Sequence, residues 1–143
     1  MIEQEMDQRK TAVDHKDLEV WQLARDLSIG IHHMTLRELP KFEMYETGSQ
    51  IRRASKSVRF NIVEGFGRRR YKLEFIKHLQ YALGSAKEVE DELDCLFETG
   101  SLTKEKLWTE LSALNRKLIA KLTAFIQGVE RNHRTTPDRP PES

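Results

Sequence analysis

Three observations predict an all-α protein, an antiparallel up-down-up-down four-helix bundle. Apolar residues recur at spacings of three and four through four separate stretches, the period of a helix that buries one face. No stretch shows the strict alternation or tight-turn dipeptides of a hairpin sheet. The connections between stretches are short, which makes successive helices antiparallel neighbours. A chain of 143 residues suits one domain. We divide it into a flexible lead-in over 1–16, the bundle over 17–131 and a disordered tail over 132–143.

In the first stretch Val20, Ala24, Leu27, Ile31 and Met34 form the inner stripe. Asp17 is its expected N-cap, since a carboxylate there accepts from unpaired first-turn N–H groups. Pro40 stops it, because the residue before a proline is pushed out of helical geometry. Thr47-Gly48-Ser49-Gln50 has the form of a capping box. The second helix it opens has Ile51, Ala54, Val58 and Ile62 inside. Gly65 and Gly67 are expected to end that helix through the positive φ glycine tolerates, with Arg68–Arg70 near the negative end of its dipole. The third runs from about Tyr71 to Glu98, with Ile76, Leu79, Leu83, Ala86, Leu93 and Phe97 on one stripe, an interruption at Glu90 and a stop at Gly100. Thr103 opens the fourth, whose face is Leu107, Leu111, Leu114, Leu118, Leu122, Phe125 and Val129. The closing RTTPDRPPES is polar and proline-rich.

The net charge of +1 conceals a segregation. Between Gly48 and Lys72 stand Arg52, Arg53, Lys56, Arg59, Arg68, Arg69, Arg70 and Lys72 against Glu64 alone. Between Lys87 and Glu98 stand Glu88, Glu90, Asp91, Glu92, Asp94 and Glu98 against Lys87 alone. Such blocks attract each other, within or between chains, or the basic one attracts a polyanion. No apolar run reaches the length of a membrane span, and MIEQEMDQRK has neither signal nor transit character. The single cysteine, Cys95, permits no internal disulfide and fits a reducing compartment. The expected location is the cytoplasm, with no membrane partner.

Enzyme chemistry finds little to stand on. The only Glu-x-x-His pair is Glu130–His133, and His15, His32, His33 and His78 have no acidic or cysteine partners at ligand spacing, so neither a metal nor another cofactor is expected. Gly65-Phe66-Gly67 follows a helix and lacks a phosphate-loop lysine. Cys95 sits among acids that disfavour its thiolate. The second helix is more informative. Gln50, Arg53, Ser57, Asn61, Glu64 and Arg68 recur every three or four positions, one polar stripe beside the apolar one. It is either an exposed face or a partly buried network in which Asn61 and Glu64 need partners. Facing residues across the following turn should have numbers adding to about 139, which brings Arg53 to the Ser85–Glu88 region. Arg59-Phe60 and Arg68 through Lys72 interleave cations with rings, a pattern suited to phosphates and unpaired bases.

Certain stretches are more specific. Gln50-Ile51-Arg52-Arg53-Ala54, Ser57 and Asn61-Ile62-Val63-Glu64-Gly65-Phe66-Gly67-Arg68 come in order, followed by Glu74-Phe75, Leu79, Ala82, Gly84-Ser85 and Glu88-Val89-Glu90. They are preceded by Asp17-Leu18-Glu19-Val20-Trp21 and Leu39-Pro40-Lys41-Phe42-Glu43. Together they resemble the bacterial four-helix-bundle family of proteins encoded in 23S rRNA intervening sequences, over roughly Asp17 to Arg131. The resemblance implies a homo-oligomer, a ring of five, with no settled activity. The family is similar in fold to the accessory protein of diversity-generating retroelements, a basic bundle that works with a reverse transcriptase and nucleic acid. Lys56 and Arg59 depart from the family pattern toward greater basicity, and Arg70-Tyr71 stands where a serine usually caps the third helix. The functional expectation is a non-enzymatic oligomeric scaffold that contacts RNA or DNA through Arg52, Lys56, Arg59, Arg68, Arg69, Arg70 and Lys72. Gln50, Arg53, Ser57, Asn61, Glu64, Ser85 and Glu88 then form a structural network or oligomer seam. The alternative is a structural or protein–protein oligomer without a nucleic-acid role.

Overall fold

The five apolar residues of the first stripe are all buried, and they lie on α1, Glu19–Arg37. In the computed structural model, which describes residues 12–132, three more helices follow: α2 (Thr47–Gly67), α3 (Lys72–Glu98) and α4 (Glu105–Asn132). Two short 3-10 turns, His15–Asp17 and Lys41–Tyr45, precede α1 and α2. No strand occurs among the described residues. The expectations for 1–11 and for the tail from 133 onward, His133 included, lie outside the described residues.

Side-chain registers give the topology. Ser57 meets Ser85 and Asn61 meets His78, so numbers rise on α2 as they fall on α3. Trp108 bonds Asp94, Asn115 donates to the Ala86 carbonyl and Phe125 packs edge-on against Phe75. α4 returns along α1, with Lys104 on Glu38 and Lys121 on Glu19. Each helix is therefore antiparallel to its neighbours, and α4 closes the ring onto α1. The core between them is one cluster running from Leu18 to Val129.

Several local expectations are corrected. Asp17 does not cap α1. Its carboxylate accepts from the Val13 and Asp14 N–H groups at 3.1 Å each, closing the preceding 3-10 turn, and α1 begins after Leu18 without a side-chain cap. Thr47 is no cap either, because Glu46 holds that position and no side chain bonds there. The first-turn donor is met by Glu43, which is buried: its Oε1 accepts from Gly48 N–H at 3.3 Å and its Oε2 from the Ser101 hydroxyl at 2.6 Å. One carboxylate thus ties the α1–α2 connection to the α3–α4 loop. A β-carbon at Gly48 would run into the Glu43 carbonyl oxygen. Gly65 and Gly67 belong to α2 without positive φ, and among the described residues only Gly100 takes it, at 80°, ending α3 as expected. Gly65 serves close approach instead, since a β-carbon there would lie 3.1 Å from that of His78. On α3 the buried side chains are Phe75, Leu79, Ala82, Ala86, Val89, Leu93 and Leu96, with Ile76, Leu83 and Phe97 only half-buried. The acid that enters the core is Glu92, and Glu90 is exposed. α4 starts at Glu105, beyond the predicted Thr103.

Candidate functional site

α2 carries polar side chains along two flanks, one against α3 and one against α1. Residues 57, 61, 64 and 68 fall on the first by their spacing, and 52, 56 and 59 on the second.

On the α3 flank the groups are satisfied. Ser57 and Ser85 share a hydroxyl hydrogen bond of 3.0 Å. The Asn61 amide donates to the Ser57 carbonyl at 3.0 Å and its hydroxyl at 3.1 Å. Asn61 Oδ1 is left facing His78 Nδ1 at 3.3 Å. An amide oxygen only accepts, so His78 carries its proton on Nδ1 in this arrangement. Burial chiefly, then Arg68, lowers the His78 pKa below 6.5, while Glu64 and Glu74 act to raise it. Arg68 bridges these two acids, at 3.2 Å to Glu64 and 3.6 Å to Glu74. Glu64 is exposed, contrary to the expectation that it is partly buried. Beyond Ser57 the flank opens into a shallow 610 Å³ groove lined by Ser57, Asn61, Gln80, Tyr81, Gly84, Ser85 and Glu88. Tyr81 is 54% exposed there, and a β-carbon on Gly84 would meet nothing within 4 Å. Gln50, Arg53 and Glu88 are exposed, and no ion pair joins Arg53 to Glu88 among the described residues.

The α1 flank is built from cations. Arg59 Nη1 donates to the Ser28 hydroxyl at 3.1 Å, and its guanidinium lies 5.3 Å from the centre of the Trp21 ring, which Arg25 also approaches, at 5.4 Å. Arg52 Nη2 donates to the Met44 carbonyl at 3.2 Å, while its Nη1 is buried without an acceptor. His32 Nδ1 is likewise buried without a partner. Burial, then Lys56, His33 and Arg52, lowers the His32 pKa, and no acid is among the causes. Between the helices lies a 240 Å³ cleft lined by Ser28, Ile29, His32, His33, Lys56, Arg59 and Phe60, with no carboxylate among them. Phe60 is 59% and Ile29 48% exposed.

The α2–α3 turn is less open than its run of charges implies. Arg68 is paired as described, and Arg69 folds back, donating to the Phe66 carbonyl at 2.9 Å with its guanidinium 3.9 Å from that ring's centre. Arg70 is exposed and Lys72 half-buried, and neither makes an ion pair among the described residues.

The seven expected nucleic-acid residues therefore divide into two groups, Arg52, Lys56 and Arg59 beside α1 and Arg68, Arg69, Arg70 and Lys72 at the turn. Neutralisation of the basic block by the acidic block within the chain does not occur among the described residues: the acids that reach Arg68 are Glu64 and Glu74. Of the acidic block, Asp94 accepts from the Trp108 indole at 3.2 Å. Glu92, buried and with Oε1 unpartnered, has its pKa pushed up to about 7 by burial first and then by Glu88 and Asp91. The sequence reading missed His32, His33 and Ser28 as companions of the basic residues. The signal available was the 4-and-3 spacing of Arg52, Lys56 and Arg59, which separates them from the Ser57 stripe. Among the described residues no three His, Cys, Asp or Glu side chains form a metal-binding group, and no helix is long and apolar enough to cross a membrane.

Comparison with known proteins agrees with the fold. A protein of unknown function from the S23 ribosomal protein family of Bacteroides thetaiotaomicron superposes with a TM-score of 0.65 at 22% identity, over 76% of this chain and 95% of its own. No curated protein matches. The profile of 23S rRNA-intervening sequence proteins matches residues 16–124, from the turn before α1 into α4. Four helices in this order, the Ser57–Asn61 stripe against α3 and a match over most of the chain lead to one assignment: the chain belongs to the 23S rRNA-intervening sequence protein family.

Proposed function

We propose that this chain is a non-enzymatic, self-associating helical scaffold that holds nucleic acid, RNA foremost, on the basic surfaces of α2 and the turn after it. The observation that carries this reading is uncompensated charge. Arg53, Lys56, Arg70 and Lys72 have no acidic partner among the described residues, although a strongly acidic segment lies on the adjoining helix. Positive charge left unpaired at a surface is what a polyanion recognises, through release of its counterions. The family name ties relatives to sequences inserted in ribosomal RNA, which agrees with RNA as the partner. The non-enzymatic part rests on the side chains themselves. Ser57 is committed to Ser85 and Asn61, and His78 to Asn61, so no nucleophile is paired with a free base.

Self-association is assigned to the α3 flank, where the Tyr81–Gly84 groove is open and flat enough for a second copy, and the family resemblance points to a ring of five. Repeating one modest basic patch around a ring multiplies avidity without new contacts. The exposed Phe42, Met44 and Tyr45 between α1 and α2 favour a second reading, a protein partner rather than a nucleic acid. Purification of the full chain from cells without nuclease, with mass by light scattering and sequencing of bound nucleic acid, separates them. A mass near five times 16.8 kDa with bound RNA supports the proposal. A clean monomer without nucleic acid overturns it.

A further inference from the structure

We propose that the cleft between α1 and α2 is a subsite for single-stranded nucleic acid, its cationic donors taking one backbone phosphate and Phe60 stacking the neighbouring base. This rests on the nucleic-acid reading above and moves its centre from the turn to the α1 flank. Buried polar hydrogens almost always have acceptors, yet His32 Nδ1 and Arg52 Nη1 have none. Lys56 on the cleft wall makes no ion pair, and no carboxylate lines it. A site rich in donors and empty of acceptors is complementary to an anion whose oxygens accept from several directions, as a phosphodiester's do. Arg59 is held by Ser28 and Trp21, so little of its freedom remains to be lost on binding.

The apolar rim selects the strand state. Phe60 offers more than half of its surface to solvent beside Lys56 and Arg59. A base stacks on such a ring only when it is not already stacked in a duplex. The 240 Å³ cleft has room for a phosphate and its adjoining nucleotide, not for a double helix. The electrostatics agree. The groups acting on His32 are Lys56 and Arg52 from α2 and His33 from its own helix, all of which oppose its protonation. A bound phosphate would offset them and raise the His32 titration midpoint.

The test is fluorescence anisotropy of the full chain with labelled oligouridylate of roughly 12 nucleotides, and with an RNA duplex of that length. Phe60→Ala should weaken strand binding by about five- to a hundredfold, the range seen when a stacking ring is removed. Phe60→Leu, which keeps an apolar side chain, should lose nearly as much, and neither change should alter duplex binding. Lys56→Gln should lower the salt slope of strand binding by about one. In NMR titrations the His32 midpoint should rise when the strand is added. Parent-like strand binding by both Phe60 variants, with binding lost in Arg70→Gln/Lys72→Gln, would overturn the subsite while leaving the nucleic-acid reading intact. Failure of the parent to bind either probe at low salt would remove that reading itself. A fall in mass toward 16.8 kDa on substituting Phe60 would show that a second copy of the chain covers the cleft, which also overturns the proposal.

Discussion

The two flanks of α2 are built from the same helix and face neighbours of the same kind, yet they treat charge in opposite ways. Toward α3, Ser57 and Asn61 are hydrogen-bonded, Arg68 is shared between Glu64 and Glu74, and His78 is surrounded by both signs of charge. Toward α1, His32 is surrounded by cations only, and donors lie buried without acceptors. Both flanks hold a histidine whose pKa is lowered, and burial leads in each case. The difference lies in the second cause: a mixed environment for His78, a one-sided one for His32. Density of basic residues along the sequence is therefore a poor guide to a binding surface. Absence of compensation at short range is the better one.

The largest effect should come from Arg53, at the exposed end of the α3 flank. In the assembled protein we expect Arg53→Ala to cost about 3–5 kcal/mol, because a second copy would bury the charge against Glu88. Within an isolated chain the same change should cost under about 1 kcal/mol. A double-mutant cycle with Glu88→Ala, followed by denaturant unfolding and by mass, checks this. Zero coupling with unchanged mass in every mutant would make Arg53 a free surface charge and blur the contrast between the flanks.

The pH dependence comes next, and Glu92 must be silenced before the histidines can be compared. Its pKa stands at about 7 against an ordinary 4.5. A carboxyl that holds its proton more tightly when folded stabilises fully below the ordinary value, and the benefit is gone above the raised one. Stability should thus fall by about 1.4 kcal/mol per pH unit across most of that interval. Glu92→Gln should abolish this loss in thermal unfolding across the same range. In that background the remaining dependence has the opposite sign. Histidines kept neutral by the fold cost stability as pH drops below 6.5. Adding oligouridylate should reverse the His32 part and leave the His78 part untouched.

Third, Asn61→Ala should cost about 1–3 kcal/mol, because it strands the His78 Nδ1–H and a serine hydroxyl in a half-buried site. Ser28→Ala on the other flank should cost under about 1 kcal/mol, since Arg59 keeps its stacking on Trp21. Equal costs in urea unfolding would mean the flanks are alike in energy. Fourth, changing Arg69, Arg70 and Lys72 together to glutamine should reduce the salt slope of RNA binding by about two rather than three, because Arg69 is turned back onto Phe66. A full drop of three would restore the turn as the centre of the surface.

Much of this was legible in the residues. The inner stripes of α1 and α2 are buried residue for residue, because each helix presents one narrow face to the core. α3 was harder. Its buried arc takes in Phe75, Ala82 and Val89 as well as Leu79, Ala86 and Leu93, so a single 3-and-4 template picks out half of it. The caps were misread because Thr47 and Asp17 have the right chemistry in the wrong geometry, and the donor at Gly48 is met by Glu43 from a neighbouring turn. The polar stripe along α2 followed from spacing alone. Its companions on α1 did not, since nothing local links Ser28 or His32 to residues some 30 positions away. Nor does spacing say which acids of α3 point inward, and the unpartnered one, Glu92, reads like its neighbours.

Gly84 gives the seam a means of being tested apart from the fold. It lies mid-helix on α3, exposed, with open space where a β-carbon would go. Alanine there removes backbone freedom from the unfolded chain and should stabilise the protomer by about 0.5–1 kcal/mol. If a second copy lies against that bare backbone, the same methyl group holds the subunits apart. Folding and assembly would then respond to one substitution in opposite directions, with a higher melting temperature at dilution and a weaker self-association constant.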